Sequence, residues 1–192
     1  MLFAFDYLGV GEAARSMAVY IDQLRLMEAL TAEEITHVDL REAFRAHFRN
    51  PYAVVHRGDL HGVFLKACRE HELIELGVSS EVMGYDQDGA SVTAQLSNGE
   101  RVTGSLLIGA DGLWSNVRKQ VTRNGAPRVS GHTTYRSVIP AEDMPENLRW
   151  NAATLWAGPK CHIVHYPLSG WKVFNLVVTY HNDASMAAPG WG

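Results

Sequence analysis

The chain predicts an α/β fold, α+β by content, and three observations carry the prediction. Apolar residues recur at helical spacing between residues 59 and 71. Alternating segments separated by Gly turns fill 81–105, and an apolar strand runs into a Gly-rich turn and a helix between 106 and 121. With 192 residues, 46% hydrophobic and 20% charged, the chain is long enough to bury one full domain core and a small second one.

The elements follow in order. From Gly11 to about residue 32, Met17, Tyr20, Ile21, Leu24, Leu26 and Met27 are interspersed with Arg15, Asp22, Gln23, Arg25 and Glu28. That pattern predicts a helix at the start of the stretch and a strand later in it. Leu60, Val63, Phe64, Ala67 and Cys68 return every three or four residues, so a clearer helix is expected over 59–71 with Asp59 as its N-cap. Strands are expected over 73–78, 81–86, 91–96 and 101–108. Asp88-Gly89 and Asn98-Gly99 suit the positive φ angles of tight hairpins and fold 81–105 into an antiparallel meander. Leu106-Leu107-Ile108 then meets Gly109-Ala110-Asp111-Gly112 and a helix over 115–121. Beyond Pro127 the pattern changes to longer strands, over 133–138, 153–157, 162–166 and 171–181, between Pro and Gly turns. A boundary near 123–128 therefore divides the chain into domains 1–126 and 127–183, and the Pro- and Gly-containing tail 184–192 is expected to fray.

Several function classes are disfavoured. The net charge is −4 and the Lys and Arg residues are scattered, which gives no basic stripe for nucleic acid. No apolar run approaches the ~20 residues that span a bilayer. The first residues, Met1 to Asp6, lack a basic region and are broken by an acid, so a secretory signal is not expected and the reading is cytoplasmic. Cys68 and Cys161 stand far apart with no partner at metal-ligand spacing, which argues against a disulfide framework or a metal site; both read as buried small hydrophobes. Gly9-Val10-Gly11-Glu12-Ala13-Ala14 fits G-x-G-x-x-A, but no buried strand precedes it and no strand ending in an acid follows about 20 residues on. It reads instead as a joint between two helices, with Gly9 closing the first and Gly11 opening the second.

Three strings carry chemistry. In 106–118 an apolar strand, a Gly-Ala-Asp-Gly turn that permits close backbone approach, and Ser115 and Arg118 at helical spacing coincide. On local grounds Asp111 or Ser115 could equally cap the helix and Arg118 be a surface charge. Val55-His56-Arg57-Gly58-Asp59-Leu60 puts a guanidinium at a helix N-terminus, a corner that favours anions; the plainer alternative pairs Arg57 with Asp59 in solvent. In Cys161-His162-Ile163-Val164-His165-Tyr166, strand alternation sends His162, Val164 and Tyr166 to one face and Cys161, Ile163 and His165 to the other. His162 and Tyr166 can therefore line one wall of a pocket, or be hydrogen-bonded within a sheet, while His165 reads as structural.

These strings resemble the group A flavoprotein hydroxylases, the salicylate and hydroxybenzoate hydroxylase family, and most of all its 3-hydroxybenzoate 6-monooxygenase type. The 106–118 string matches the family's D-G-x-x-S-x-x-R motif, and Arg57 with Leu60 matches its R-x-x-L. The resemblance implies the central part of a Rossmann-like FAD-binding domain followed by part of a β-sheet substrate domain. It implies FAD as cofactor, NADH or NADPH and O2 as cosubstrates, a small aromatic acid as substrate, and homo-oligomers among intact members. By the same resemblance Arg57 contacts the flavin side of FAD and the backbone of Val82 faces its adenine portion. Asp111 and Gly112 lie near the pyrophosphate and assist the nicotinamide nucleotide, and His162 and Tyr166 face the aromatic ring. A histidine near its ordinary pKa of ~6.5 can take a phenolic proton around neutral pH as the ring attacks an electrophilic oxygen. The family's first strand with its G-x-G-x-x-G turn is expected upstream of Met1, and its later G-D motif is not in the sequence. The chain therefore reads as an internal piece of such an enzyme; the alternative is a catalytically inert fragment, or a chain that needs a partner to bind flavin.

Overall fold

The computed structural model describes residues 2–122 and 127–182. Residues 123–126, part of the expected boundary, and the whole expected tail 184–192 lie outside them. The chain forms two compact units, one from Met1–Ile74 with Ser130–Gly192 and one from Glu75–Val129. Among the described residues no helix is long and apolar enough to cross a membrane.

The first unit opens with two short helices, α1 (Leu2–Tyr7) and α2 (Gly11–Met17). Gly9 between them takes φ +72°, and a Cβ on Gly11 would sit 1.9 Å from Asp6 Oδ1, so the turn is made by the two glycines. The G-x-G-x-x-A string is thus the helix joint read from sequence, closed by Arg15 Nη1 donating to Asp6 Oδ1 at 2.6 Å. The short β1 (Val19–Tyr20) and the strand β2 (Gln23–Glu28) follow, and β2 turns back into β3 (Glu34–Asp39), with Arg25 of β2 ion-paired to Glu34. Neither β3 nor the next helix, α3 (Glu42–Phe48), is visible in the sequence pattern, because β3 is exposed along its whole length and has no apolar alternation to report. After β4 (Ala53–Val54), which pairs with β1, comes α4 (Arg57–Glu70). The helix buries Val63 and sets Phe64 edge-on against Phe5 of α1, with ring centroids 5.2 Å apart. Its N-cap is His56 rather than Asp59; Asp59 lies in the first turn, where an acid still favours the positive end of the helix.

The second unit holds β5 (Val82–Gln87), β6 (Val92–Leu96), β7 (Arg101–Gly104) and α5 (Asn116–Thr122). The three strands form the antiparallel meander, with Gly89 at φ +89° and Gly99 at φ +86° in its turns. Asp88 and Asn98 brace those turns by accepting backbone N–H bonds through their side-chain oxygens. Gln120 of α5 bonds both the N–H and the C=O of Tyr85, at 2.8 and 3.1 Å. Gly84 admits that approach, since a Cβ there would lie 3.0 Å from Gln120 Oε1. One expected strand, 73–78, and the end of another, 101–108, are absent. Residues 73–78 and 106–108 have no ladder partner among the described residues, and Leu73, Val78, Leu106 and Ile108 are all exposed. A run of β-prone residues becomes a strand only when a neighbour completes its hydrogen bonds.

The remaining strands return to the first unit: β8 (His132–Pro140), β9 (Ala152–Gly158), β10 (Cys161–Leu168) and β11 (Val173–His181), with a 3-10 turn (Glu146–Leu148) between β8 and β9. They form a six-stranded sheet in the order β3-β2-β9-β10-β11-β8, antiparallel except for the parallel β2–β9 pair, so it draws strands from both sides of residue 126. One core packs Val19, Ile21 and Leu40 with Leu24, Phe44, Val54 and Ala153. On the opposite sheet face Thr154 is fully buried and His165 is 3% exposed, under a stack of Trp150 on Trp156. The Arg25 guanidinium lies 3.8 Å above the Trp150 ring. His165 is therefore structural, as its strand parity predicts. Cys161, expected to be buried, is exposed because it stands at the first position of β10, beside the hairpin turn.

Candidate functional site

β10 positions the first pair of predicted residues. His162 lies opposite Ala157 of β9 and Thr179 of β11, and Tyr166 lies opposite Asn175 of β11. Four residues along one strand keep His162 and Tyr166 on a common face, and both are half-buried. The sequence misses Asn175, which shares that face and is 9% exposed with its Nδ2 buried and unpartnered. The strand pattern of 171–181 marks the residue as facing one side, but only the register shows that it stands beside Tyr166.

Arg57 opens α4. His56, at the N-cap, makes no side-chain capping bond, which leaves the first-turn N–H groups of a 14-residue helix without that partner, next to a guanidinium. The helix is tied to the β10–β11 turn by Ser169 Oγ, which donates to Asp59 Oδ2 at 3.4 Å. That turn runs through three successive positive φ angles, 50° at Ser169, 64° at Gly170 and 68° at Trp171. The tie brings the Arg57 end of α4 to the strand end that carries Tyr166. It was not legible in sequence, since Asp59 and Ser169 are 110 residues apart.

The other three predicted residues lie in the second unit. Asp111 accepts from Ser115 Oγ at 2.5 Å, from the Asn116 N–H at 2.8 Å and from the Val117 N–H at 3.3 Å, and these donors hold its carboxyl below the ordinary carboxylate range. Ser115 Oγ in turn accepts the Arg118 N–H at 2.9 Å, and Arg118 Nη2 donates to the Leu113 carbonyl at 2.7 Å. The D-G-x-x-S-x-x-R string is thus bonded to itself, with Asp111 and Ser115 both serving the N-terminus of α5. Gly112 takes φ +75° with open space where a Cβ would be, and Gly109 packs so closely that its Cβ would meet Val117 at 2.7 Å. Val82 is drawn to the same corner, because Asn116 Nδ2 donates to its carbonyl at 2.8 Å. Val82, Asp111 and Gly112 therefore form one bonded corner, while Arg57, His162 and Tyr166 belong to the other unit.

A family model described as FAD binding domain matches residues 2–156. The chain belongs to the FAD binding domain family. It is 54% identical over 187 residues to "3-hydroxybenzoate 6-hydroxylase 1" of Aquipseudomonas alcaligenes, covering 97% of this chain and 48% of that protein. A 3-hydroxybenzoate 6-hydroxylase of Klebsiella oxytoca is 47% identical over 179 residues, covering 93% of this chain and 45% of the relative. The chain thus spans about half the length of the curated relatives it matches. Its fold resembles the crystal structure of Klebsiella pneumoniae HpxO complexed with FAD and uric acid, at a TM-score of 0.80 and 20% identity over 97% of this chain and 46% of that one.

An FAD binding domain has to offer hydrogen-bond donors to an anionic, phosphate-bearing group. The uncapped N-terminus of α4 beside Arg57 has that chemistry. The N-terminus of α5 differs, since Asp111 has already taken two of its N–H groups, so that corner can meet a ligand through the open backbone of Gly112 rather than through the carboxylate.

Proposed function

We propose that the chain is part of an FAD-dependent monooxygenase that hydroxylates a hydroxybenzoate-type aromatic acid, 3-hydroxybenzoate to gentisate, with NAD(P)H and O2. One observation carries the reading: His162 and Tyr166 share one face of β10, whose turn is tied by Ser169 to the Arg57 end of α4. The names and identities of the two hydroxylase relatives support the substrate class. FAD, when bound, supplies the oxygen-activating chemistry. In this reading His162 accepts the phenolic proton on a ring nitrogen, which makes the ring a stronger nucleophile. Tyr166 orients the ring through its hydroxyl, and Arg57 with the α4 N-terminus holds an anionic part of the cofactor. Gly112 offers its backbone to the pyrophosphate while Asp111 fixes the turn, and the backbone of Val82 borders the adenine portion.

The test is to supply FAD to the purified protein, record the visible spectrum of the protein fraction, and follow substrate-dependent NAD(P)H oxidation with product analysis. Gentisate formed from 3-hydroxybenzoate, with little turnover of 4-hydroxybenzoate, is the expected result. A protein-bound flavin that yields no hydroxylated product from any hydroxybenzoate would refute the reaction. No bound flavin at all would instead favour the alternative of an inert chain, or one that needs a partner.

A further inference from the structure

The wall formed by His162 and Tyr166 has a third polar member. Asn175 stands directly opposite Tyr166 in the β10–β11 ladder, and directly opposed residues of an antiparallel pair project to the same face. Its Nδ2 is buried and has no hydrogen-bond partner. A carboxamide N–H2 taken out of water without a partner is costly, and such groups gather where a ligand completes them. Val164 and Leu168 flank Tyr166 on β10, Val173 and Val177 flank Asn175 on β11, and Val138 lies opposite it on β8 between Arg136 and Pro140, so among these same-face neighbours the Tyr166 hydroxyl is the one side-chain acceptor, and Asn175 Nδ2 makes no bond to it.

The spacing assigns the two ends of a ligand. His162 and Tyr166 are four residues apart, about 13 Å between Cα atoms at ~3.3 Å per residue. A ring whose hydroxyl meets His162 therefore turns its carboxylate toward the Tyr166 end, where the free amide donor lies. We propose that Asn175 is a specificity-determining residue: its Nδ2 donates to a carboxylate oxygen of the aromatic acid beside the Tyr166 hydroxyl, and so selects aromatic acids over phenols that lack the carboxylate. This rests on the hydroxybenzoate reading above.

The test is calorimetric titration of the purified protein, native, Asn175→Leu and Asn175→Asp, with 3-hydroxybenzoate, benzoate and 3-methylphenol. Losing a hydrogen bond to a charged group weakens binding about tenfold or more, so Asn175→Leu is expected to lose that much for both acids and under about twofold for 3-methylphenol. Its thermal midpoint should hold or rise, because the replacement removes a buried unpartnered donor and keeps the branched shape of the side chain. Asn175→Asp, which sets a carboxylate against a carboxylate, should lose the acids more completely. Equal loss of all three ligands, no loss in either variant, or a lowered midpoint for Asn175→Leu with unchanged acid preference would overturn the assignment and mark Asn175 as a packing residue. If Asn175→Leu does not fold, the Asn175→Asp titration decides alone. Native protein that binds 3-methylphenol but neither acid would overturn the hydroxybenzoate reading, and the role of Asn175 with it.

Discussion

Lowering the pH should destabilise the six-stranded sheet through His165. The imidazole is buried beside Thr154 under the Trp150–Trp156 stack, and neither ring nitrogen has a partner. Burial first, and the nearby Arg25 guanidinium second, push its pKa from 6.5 down to about 4. The unfolded chain therefore takes up a proton between these values that the folded chain refuses. Stability from this residue is fully present above the unfolded pKa, declines as pH falls from about 6.5 toward about 4, and is constant below that. One pKa unit corresponds to about 1.4 kcal/mol, so the full shift amounts to about 3 kcal/mol, and partial solvent screening at the edge of the stack reduces it to about 2. The assay is urea unfolding followed by tryptophan fluorescence at about pH 7 and about pH 4.5, on native protein and His165→Leu. Other acids and histidines titrate in both proteins, so the difference between their pH slopes isolates His165. The native protein should lose about 2 kcal/mol more than the variant over that interval. Equal slopes, or a His165 ring that titrates near 6.5 by NMR, would refute the reasoning.

Three further outcomes are expected. Ser115→Ala removes the acceptor of the Arg118 N–H and should cost about 1 kcal/mol in the denaturation midpoint, confined to the unit of residues 75–129. Gly109→Ala places a Cβ 2.7 Å from both Cβ and Cγ1 of Val117 and should destabilise by about 1–3 kcal/mol, with only partial relief when Val117 is also shortened to Ala, which keeps the clashing Cβ. His162→Asn should slow hydroxylation by about 10²–10⁴-fold, measured by single-turnover product formation, and change NAD(P)H-driven flavin reduction far less. Equal loss in both steps would count against a base.

The sequence carried the local elements well and the long-range ones poorly, for a physical reason. Asp88-Gly89 and Asn98-Gly99 specify their turns through the φ angles they permit, and the 59–71 periodicity marks the buried Val63 stripe of α4. The Gly9–Gly11 joint was likewise decided locally, by the two helices on either side of it, although a strand ending in an acid does follow about where none was expected, β2 ending at Glu28. What composition does not encode is who lies next to whom. Leu106 to Ile108 read as the end of a strand because they are apolar, yet that says nothing about whether a partner strand is present. β3 was invisible because exposed edge strands have no alternation to show. His162 and Tyr166 followed from strand parity, whereas Asn175 needed the ladder register and Asp59–Ser169 a contact across 110 residues.

The parallel pairing of β2 with β9 also has a consequence in time. Asp22 and Asn151, which bond at 2.9 Å beside this pair, are 129 residues apart. At about 5–20 residues per second of synthesis, β2 leaves the ribosome roughly 6–26 s before the strand it must join. During that interval the β2–β3 hairpin is isolated, a state that is only marginally stable in water. The intervening meander, whose strand pairings are all between neighbours in sequence, can fold in microseconds to milliseconds. The order of assembly therefore inverts the order of the chain at this point: residues 75–129 can be complete while the flanking sheet still waits for its centre. Synonymous codons that slow translation between residues 130 and 168 would lengthen the exposure of β2 without changing a single amino acid.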